Sequence, residues 1–124
     1  MKYLIFRNDR VGDFLITAPL IKSIKRNNPD SHISIVSSEK NYKFIMEINL
    51  VDKIFILNTK KKFDRIKLLL ELKKYFFDTI IVADKKNRSI IISLFLNAKN
   101  KIFNVSKNFH YKFREFNGIF INYA

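Results

Sequence analysis

Short runs of consecutive apolar residues alternate along this chain with stretches in which apolar positions recur every three to four residues. Tyr3 to Phe6, Ile54 to Leu57 and Ile80 to Val82 are runs of the first kind, and Ile33 to Val36 is one interrupted by Ser34. Phe14, Ala18, Ile21 and Ile24 follow the first run at helical spacing. Read this way, the chain predicts strands near 2 to 6, 32 to 37, 53 to 57, 79 to 83 and 101 to 105. Between them it predicts helices over 13 to 27, 40 to 47, 62 to 76 and 87 to 96. No linker, repeat or low-complexity stretch interrupts the alternation.

Strands that read as unbroken apolar runs are covered on both faces, which is the habit of parallel sheets. Right-handed crossovers then place helices on both sides. The expected architecture is α/β and Rossmann-like, a parallel sheet in a single lobe covering residues 1–124. Residues 106 to 124 keep their aromatics but lose clear periodicity, and the chain stops after the apolar run Ile119 to Ile121. A truncated domain, continuing beyond residue 124, is therefore expected.

Composition narrows the function classes. The 124 residues are 48% apolar and 15% aromatic, enough for a core that buries about two thirds of the unfolded surface. There is no cysteine, so disulfides and thiolate metal sites are excluded and a reducing compartment is compatible. Lys2 is followed by four apolar residues before Arg7, far short of a secretory core or of the roughly 20 residues that span a bilayer. A cytoplasmic location is expected. His32 and His110 stand alone without ligand-spaced partners, and no metal site is read. The net charge of +13 points toward an anionic partner. The same chain is rich in Lys, Asn, Ile and Phe and poor in Gly and Ala, a bias that codon composition produces without selection for any ligand. The charge alone therefore does not choose among nucleic acid, anionic lipid and a phosphorylated small molecule.

Chemistry is most concentrated where the first strand meets the first helix. Ligands of doubly wound sheets collect at the carboxyl ends of the strands, where loops lead into helix N-termini. Three charged loops lie at such ends: Arg7, Asp9, Arg10, Gly12 and Asp13 after strand one; Asn58, Thr59 and Lys60 to Lys62 after strand three; Asp84, Lys85, Lys86, Asn87 and Arg88 after strand four. An average chain of this length would hold roughly nine glycines, whereas this one holds two. The position of Gly12 is therefore informative. It serves as a turn residue with positive φ or as a gap through which a ligand reaches the backbone. Asp13, at the helix start, reads from spacing alone as a cap that also favours the helix dipole. Pro19 removes the amide that would bond the Leu15 carbonyl, so a kink is expected there. Arg88 offers a planar fork to phosphate or carboxylate at a helix start, and Arg10 is preferred over Arg7 as a substrate contact. A lysine run such as Lys60 to Lys62 is more often a solvated face than a site.

The order Arg7-Asn8-Asp9-Arg10-Val11-Gly12-Asp13, then Thr17 and Pro19, then a basic helix ending at Asn28-Pro29-Asp30 resembles the N-terminus of the family 9 glycosyltransferases, the heptosyltransferases of lipopolysaccharide core synthesis. Asn49-Leu50-Val51-Asp52-Lys53, Phe77 to Val82 and Asn87-Arg88-Ser89 continue the resemblance over nearly the whole chain. It implies the N-terminal, acceptor-binding lobe of a two-lobed GT-B fold. The implied reaction moves heptose, with inversion, from ADP-heptose to a phosphorylated glycolipid acceptor at the inner face of the inner membrane. By the same resemblance Asp13 is the general base, Arg10, Gly12, Lys60 and Arg88 line the acceptor site, no cofactor is used, and the nucleotide-sugar donor is held mainly by a second lobe that this chain lacks. The alternative reading is a stand-alone basic module for nucleic acid or anionic lipid. It rests on charge alone, because neither an RNA-recognition signature, nor zinc spacing, nor a helix-turn-helix pattern is present. G-x-G-x-x-G and G-x-x-x-x-G-K-[ST] are absent too, so no dinucleotide or P-loop site is expected.

Overall fold

The structure, a computed structural model, describes residues 1–7, 11–57, 62–84, 86–105 and 119–122. Among the described residues there are six strands and four helices, alternating as far as β5: β1 (Lys2–Phe6), α1 (Val11–Asn27), β2 (His32–Ser37), α2 (Tyr42–Ile48), β3 (Lys53–Ile56), α3 (Lys62–Leu72), β4 (Phe77–Val82), α4 (Asn87–Leu94), β5 (Ala98–Val105) and β6 (Ile119–Asn122). All the strand pairs are parallel. The sheet order is β3-β2-β1-β4-β5-β6, the doubly wound Rossmann order whose direction reverses between β1 and β4. The parallel, Rossmann-like expectation holds, with one strand more than the sequence pattern assigns. The apolar run at residues 119 to 121 is that added strand, pairing with β5 from Ile102 to Val105.

The sheet separates two cores because successive strand residues point to opposite faces. Leu4, Phe6, Val36, Phe55, Leu57, Ile80, Val82 and Phe103 face α3 and α4, which contribute Leu68, Leu72, Ile90 and Ile92, with Leu96 just beyond α4. Ile5, Ile33 and Ile35 face the other way, toward Ile21 of α1 and Ile45 of α2. Burial of one such side chain is worth about 1.5–3 kcal/mol, so each helix is fixed by a few residues.

Element boundaries shift where side chains override periodicity. Strand β4 begins at Phe77 rather than 79: the Asp78 carboxylate accepts the Lys2 amide at 2.7 Å, which extends the contact with β1. Helix α3 stops at Leu72 rather than 76, in a turn in which the Lys74 amide bonds the Glu71 carbonyl and the Tyr75 amide that of Leu72. This releases Tyr75 to pack edge-on against Phe55, ring centroids 5.6 Å apart, with the Lys53 ammonium 4.3 Å from the centre of the Tyr75 ring. Helix α2 ends at Asn49, whose φ of 57° is left-handed, a conformation that asparagine tolerates better than most residues. Pro19 lies inside α1, and the helix continues on both sides of it. Pro19 and Leu15 are not buried, so water can satisfy the carbonyl left without its amide.

Among the described residues no helix is long and apolar enough to cross a membrane.

Candidate functional site

The reversal of strand order puts the carboxyl ends of β1 and β4 side by side, and the loops there diverge toward helices on opposite faces of the sheet. Backbone bonds extend the ladder to the edge of this opening. The Ala83 amide bonds the Phe6 carbonyl at 3.0 Å, and the Arg7 amide bonds the Val36 carbonyl at 2.9 Å. Arg7 also spans the opening itself: its Nη1 donates to the Ala83 carbonyl at 2.5 Å. A half-buried guanidinium tied to a main-chain oxygen across the crevice is first a strap between β1 and β4. Arg10, the preferred substrate contact, lies outside the described residues.

Helix α1 begins at Val11, two residues earlier than the spacing suggests, and this changes the reading of two candidates. Gly12 has helical backbone, and no described glycine has positive φ, so the expectation of a left-handed turn residue is corrected. A glycine within a helix costs about 0.5–1 kcal/mol relative to alanine, and what it supplies here is the absence of a Cβ at the mouth of the crevice. Asp13 is then the third residue of the first turn rather than the residue that precedes it. An N-cap must precede the helix to accept its free amides, so the simple capping role does not fit. A favourable position relative to the helix dipole remains. At Asp13 the structure describes the backbone.

Across the crevice, Asp84 is buried at 4% exposure and accepts two hydrogen bonds. Its Oδ1 takes the Lys86 amide at 3.1 Å and its Oδ2 the Ser89 hydroxyl at 2.6 Å. Lys86 occupies the cap position of α4 in extended conformation and makes no side-chain cap bond; the Asp84 carboxylate takes over the capping from two residues upstream. Arg88 is half-buried in the first turn of α4. Since the buried Asp84 carboxylate already uses an amide at this helix start, an incoming anion meets a negative charge there. The sequence presents Asp84 only as one member of a charged loop. The signal that singles it out is the spacing Asp84-x-x-x-x-Ser89, an acid and a hydroxyl bracketing a helix start.

The strand order also sets how far apart the strands before the three charged loops end along the carboxyl edge. The loops after β1 and β4 adjoin, but β3 is an edge strand, two strand spacings from β1 and three from β4. At about 4.8 Å per strand these are separations of about 10 and 14 Å. Lys60 lies outside the described residues. The loop that does neighbour β1 is the one after β2, Ser38 to Asn41, which carries no charge run to mark it in the sequence. Glu39 and Lys40 are exposed there and Asn41 is buried. Among described rim residues, Arg7, Lys40, Lys86 and Arg88 outnumber Glu39 and Asp84, a basic crevice with one buried carboxylate at its base. No cluster of three or more metal-ligating side chains occurs among the described residues.

No family model matches the chain, and no curated protein does. Solved structures do. The glycosyl transferase family 9 structure from Veillonella parvula DSM 2008 matches 97% of this chain with a TM-score of 0.81 at 19% identity. E. coli heptosyltransferase WaaC with ADP matches 83% at 0.71 and 18% identity, and E. coli ADP-heptose lps heptosyltransferase II matches 84% at 0.72 and 18% identity. The chain spans 35%, 35% and 30% of the length of these three structures. Identity at this level speaks of backbone, and the backbone is clear: this chain has the Rossmann-like fold found in these GT-B glycosyltransferase structures, over about a third of their length.

Proposed function

We propose that this chain is the acceptor-binding lobe of a glycosyltransferase and supplies its general base, Asp13, to a reaction that moves a sugar from a nucleotide-sugar donor to a phosphorylated glycolipid. What carries the reading is the coincidence of the basic β1/β4 crevice with a fold match that runs through the whole chain. In the reaction, Asp13 takes the proton of an acceptor hydroxyl as its oxygen attacks the anomeric carbon. The new C–O bond forms as the bond from that carbon to the donor phosphate breaks, and the nucleoside diphosphate leaves with the electron pair. Attack opposite the leaving group inverts the anomeric centre. Arg88 and Arg10 hold the acceptor's phosphate, Lys60 meets negative charge on a more distant part of the acceptor, and Gly12 leaves room for its sugar ring. The donor of choice is ADP-heptose, by likeness to the two E. coli enzymes, bound mainly by a second lobe. The acceptor is a lipopolysaccharide core precursor on the inner face of the inner membrane, and the work is cytoplasmic.

The test is Asp13→Asn in this chain joined to the donor-binding lobe of a family 9 enzyme, assayed by ADP release from ADP-heptose and a core acceptor. Asparagine keeps the size but not the proton acceptor, so turnover should fall about 10²- to 10⁴-fold while acceptor affinity changes little. Near-full turnover would refute the assignment of the base. The chain by itself should bind ADP-heptose negligibly; micromolar affinity by calorimetry would place the donor site on this lobe instead.

A further inference from the structure

Helix α3 is apolar on two opposite faces. Leu68 and Leu72 are buried in the core, at 3% and 0% exposure. Phe63, Ile66 and Leu70 lie on the far side, at 75%, 56% and 57%. Their spacing, i, i+3 and i+7, makes them one continuous stripe. Helix α4, packed on the same side of the sheet, repeats the arrangement: Ile90 is buried while Ile91 and Phe95 face outward. The core is already closed beneath both helices, so folding does not require these outward residues. An apolar face of this kind marks an interaction surface.

We propose that the outer face of α3 and α4 rests on an anionic lipid bilayer. Charge selects the occupant. Residues 60 to 76, KKKFDRIKLLLELKKYF, hold seven basic residues against two acidic ones. Arg65, Lys67, Lys73 and Lys74 are exposed, as are Tyr75 and Phe76 where the helix ends. An apolar stripe edged by lysine and aromatics is the composition of a helix that lies in the headgroup layer. A second copy of the chain fits poorly, because a two-fold contact would set this basic stretch against itself. Nucleic acid would reward the lysines but not an aliphatic stripe. On the opposite side of the sheet, residues 39 to 47 around α2 carry two acids and two bases, so α2 has no such bias. The proposal stands apart from the transfer reaction but bears on it, since α3 and α4 both start at the carboxyl edge of the sheet. A bilayer under their outer faces would bring lipid-borne sugars to the crevice from the side.

The chain contains no tryptophan, so a single one reports its own surroundings. Phe63→Trp and, as the opposite-face control, Met46→Trp on α2 are each titrated with acceptor-free vesicles of phosphatidylglycerol and phosphatidylethanolamine, and with vesicles of phosphatidylcholine. Emission of the Phe63→Trp variant should shift to the blue and become quenchable by brominated acyl chains with the anionic vesicles only, with 0.5 M salt, on the order of a 4 Å screening length, weakening the effect. Emission of the Met46→Trp variant should stay red throughout. Substituting Phe63, Ile66 and Leu70 together by glutamine should reduce vesicle co-sedimentation at least about tenfold with unchanged circular dichroism. Emission from Phe63→Trp that stays red with lipid, or a triple variant that still sediments, overturns the proposal. So does Phe63→Trp emission already blue in buffer and dependent on protein concentration, because a second copy then covers the face. Since the vesicles hold no acceptor, a failure here leaves the transfer reading untouched, and the converse holds as well.

Discussion

The two ends of the sheet treat their charged groups differently. At the amino end they are consumed in closing the fold. Lys25 of α1 reaches the Asp52 carboxylate and the Ser31 carbonyl, both at 2.6 Å, and the same Asp52 oxygen accepts the Ile33 amide at 2.8 Å. Asp78 ties the amide of Lys2. Each of these carboxylates fastens the start of a strand to its neighbour. At the carboxyl end the loops are secured from beneath, by Arg7 on Ala83 and by Asp84 within its own turn. Lys40 and Lys86 remain exposed there. Charge at one end is structure, and at the other it surrounds an opening. That difference makes the carboxyl end the place to look for chemistry.

Substitutions at the two ends should therefore fail in different ways, and the sharpest case is Asp13→Asn. Its effect on turnover, about a hundredfold to ten-thousandfold, should come with a melting temperature lowered by only a few degrees, because loss of a dipole contact costs about 0.3–1 kcal/mol. A large drop in melting temperature would mean that Asp13, like Asp52, is a fastening.

Next in size is Asp84→Ala, which probes the floor of the opening. It removes the acceptor of a buried hydroxyl and of the Lys86 amide, a loss of about 1–3 kcal/mol. Thermal unfolding should shift down by several degrees, with amide exchange fastest at Lys86 to Ile90. Asp84→Asn, which can still accept from Ser89, should recover most of it. If Asp84→Ala leaves stability intact but abolishes acceptor binding, Asp84 belongs to the site and not to its support.

The contrast between the ends is only partly legible in the sequence. The strands are readable because β1 and β4 lie inside the sheet and carry the unbroken apolar runs Tyr3 to Phe6 and Ile80 to Val82. The general position of the site follows from that, since a parallel sheet gathers its loops at one edge. Which loops meet is not readable. The order that sets β1 beside β4 and exiles β3 to the edge arises from long-range pairing, such as Ile5 with Ile81, and no local pattern records it. The helix start at Val11, which moves Asp13 inside the first turn, is misread for a local reason: Gly12 and Asp13 are themselves residue types that mark a helix start, and they set it two residues late. Strand β6 escapes because its four residues follow a stretch without period.

Arg88→Ala should have a smaller effect than Asp84→Ala on the fold and a selective one on binding. Loss of a charged hydrogen-bonding fork at a half-buried position weakens a phosphorylated core glycolipid by about tenfold. Retention on DNA, which depends on total charge and falls steeply with salt, should change by much less. Equal losses for both ligands would favour a general basic surface and blur the distinction between a built crevice and a charged end.

The smallest effect is at the amino end and is read through pH. Burial pushes the Asp52 carboxyl up, but hydrogen bonds from Lys25 and the Ile33 amide, with the charges of Lys25 and His32, outweigh it and hold the group below the ordinary aspartate value. A carboxyl whose pKa is lower folded than unfolded binds its proton more tightly in the unfolded chain, so folding is favoured as the proton leaves. Its contribution is complete above the unfolded value of about 3.9 and disappears as pH falls through the lower folded one. The Asp52 side chain is 37% exposed, so water and salt screen the pair and the contribution stays under about 1 kcal/mol. Asp52→Asn should accordingly melt slightly below wild type near pH 7, and the two curves should converge below about pH 3. Turnover in the completed enzyme should not change, since Asp52 lies at the far end of the sheet from the crevice. A gap between the curves that persists undiminished in acid would show that Asp52 acts by shape alone, and a loss of turnover would show that the two ends are coupled.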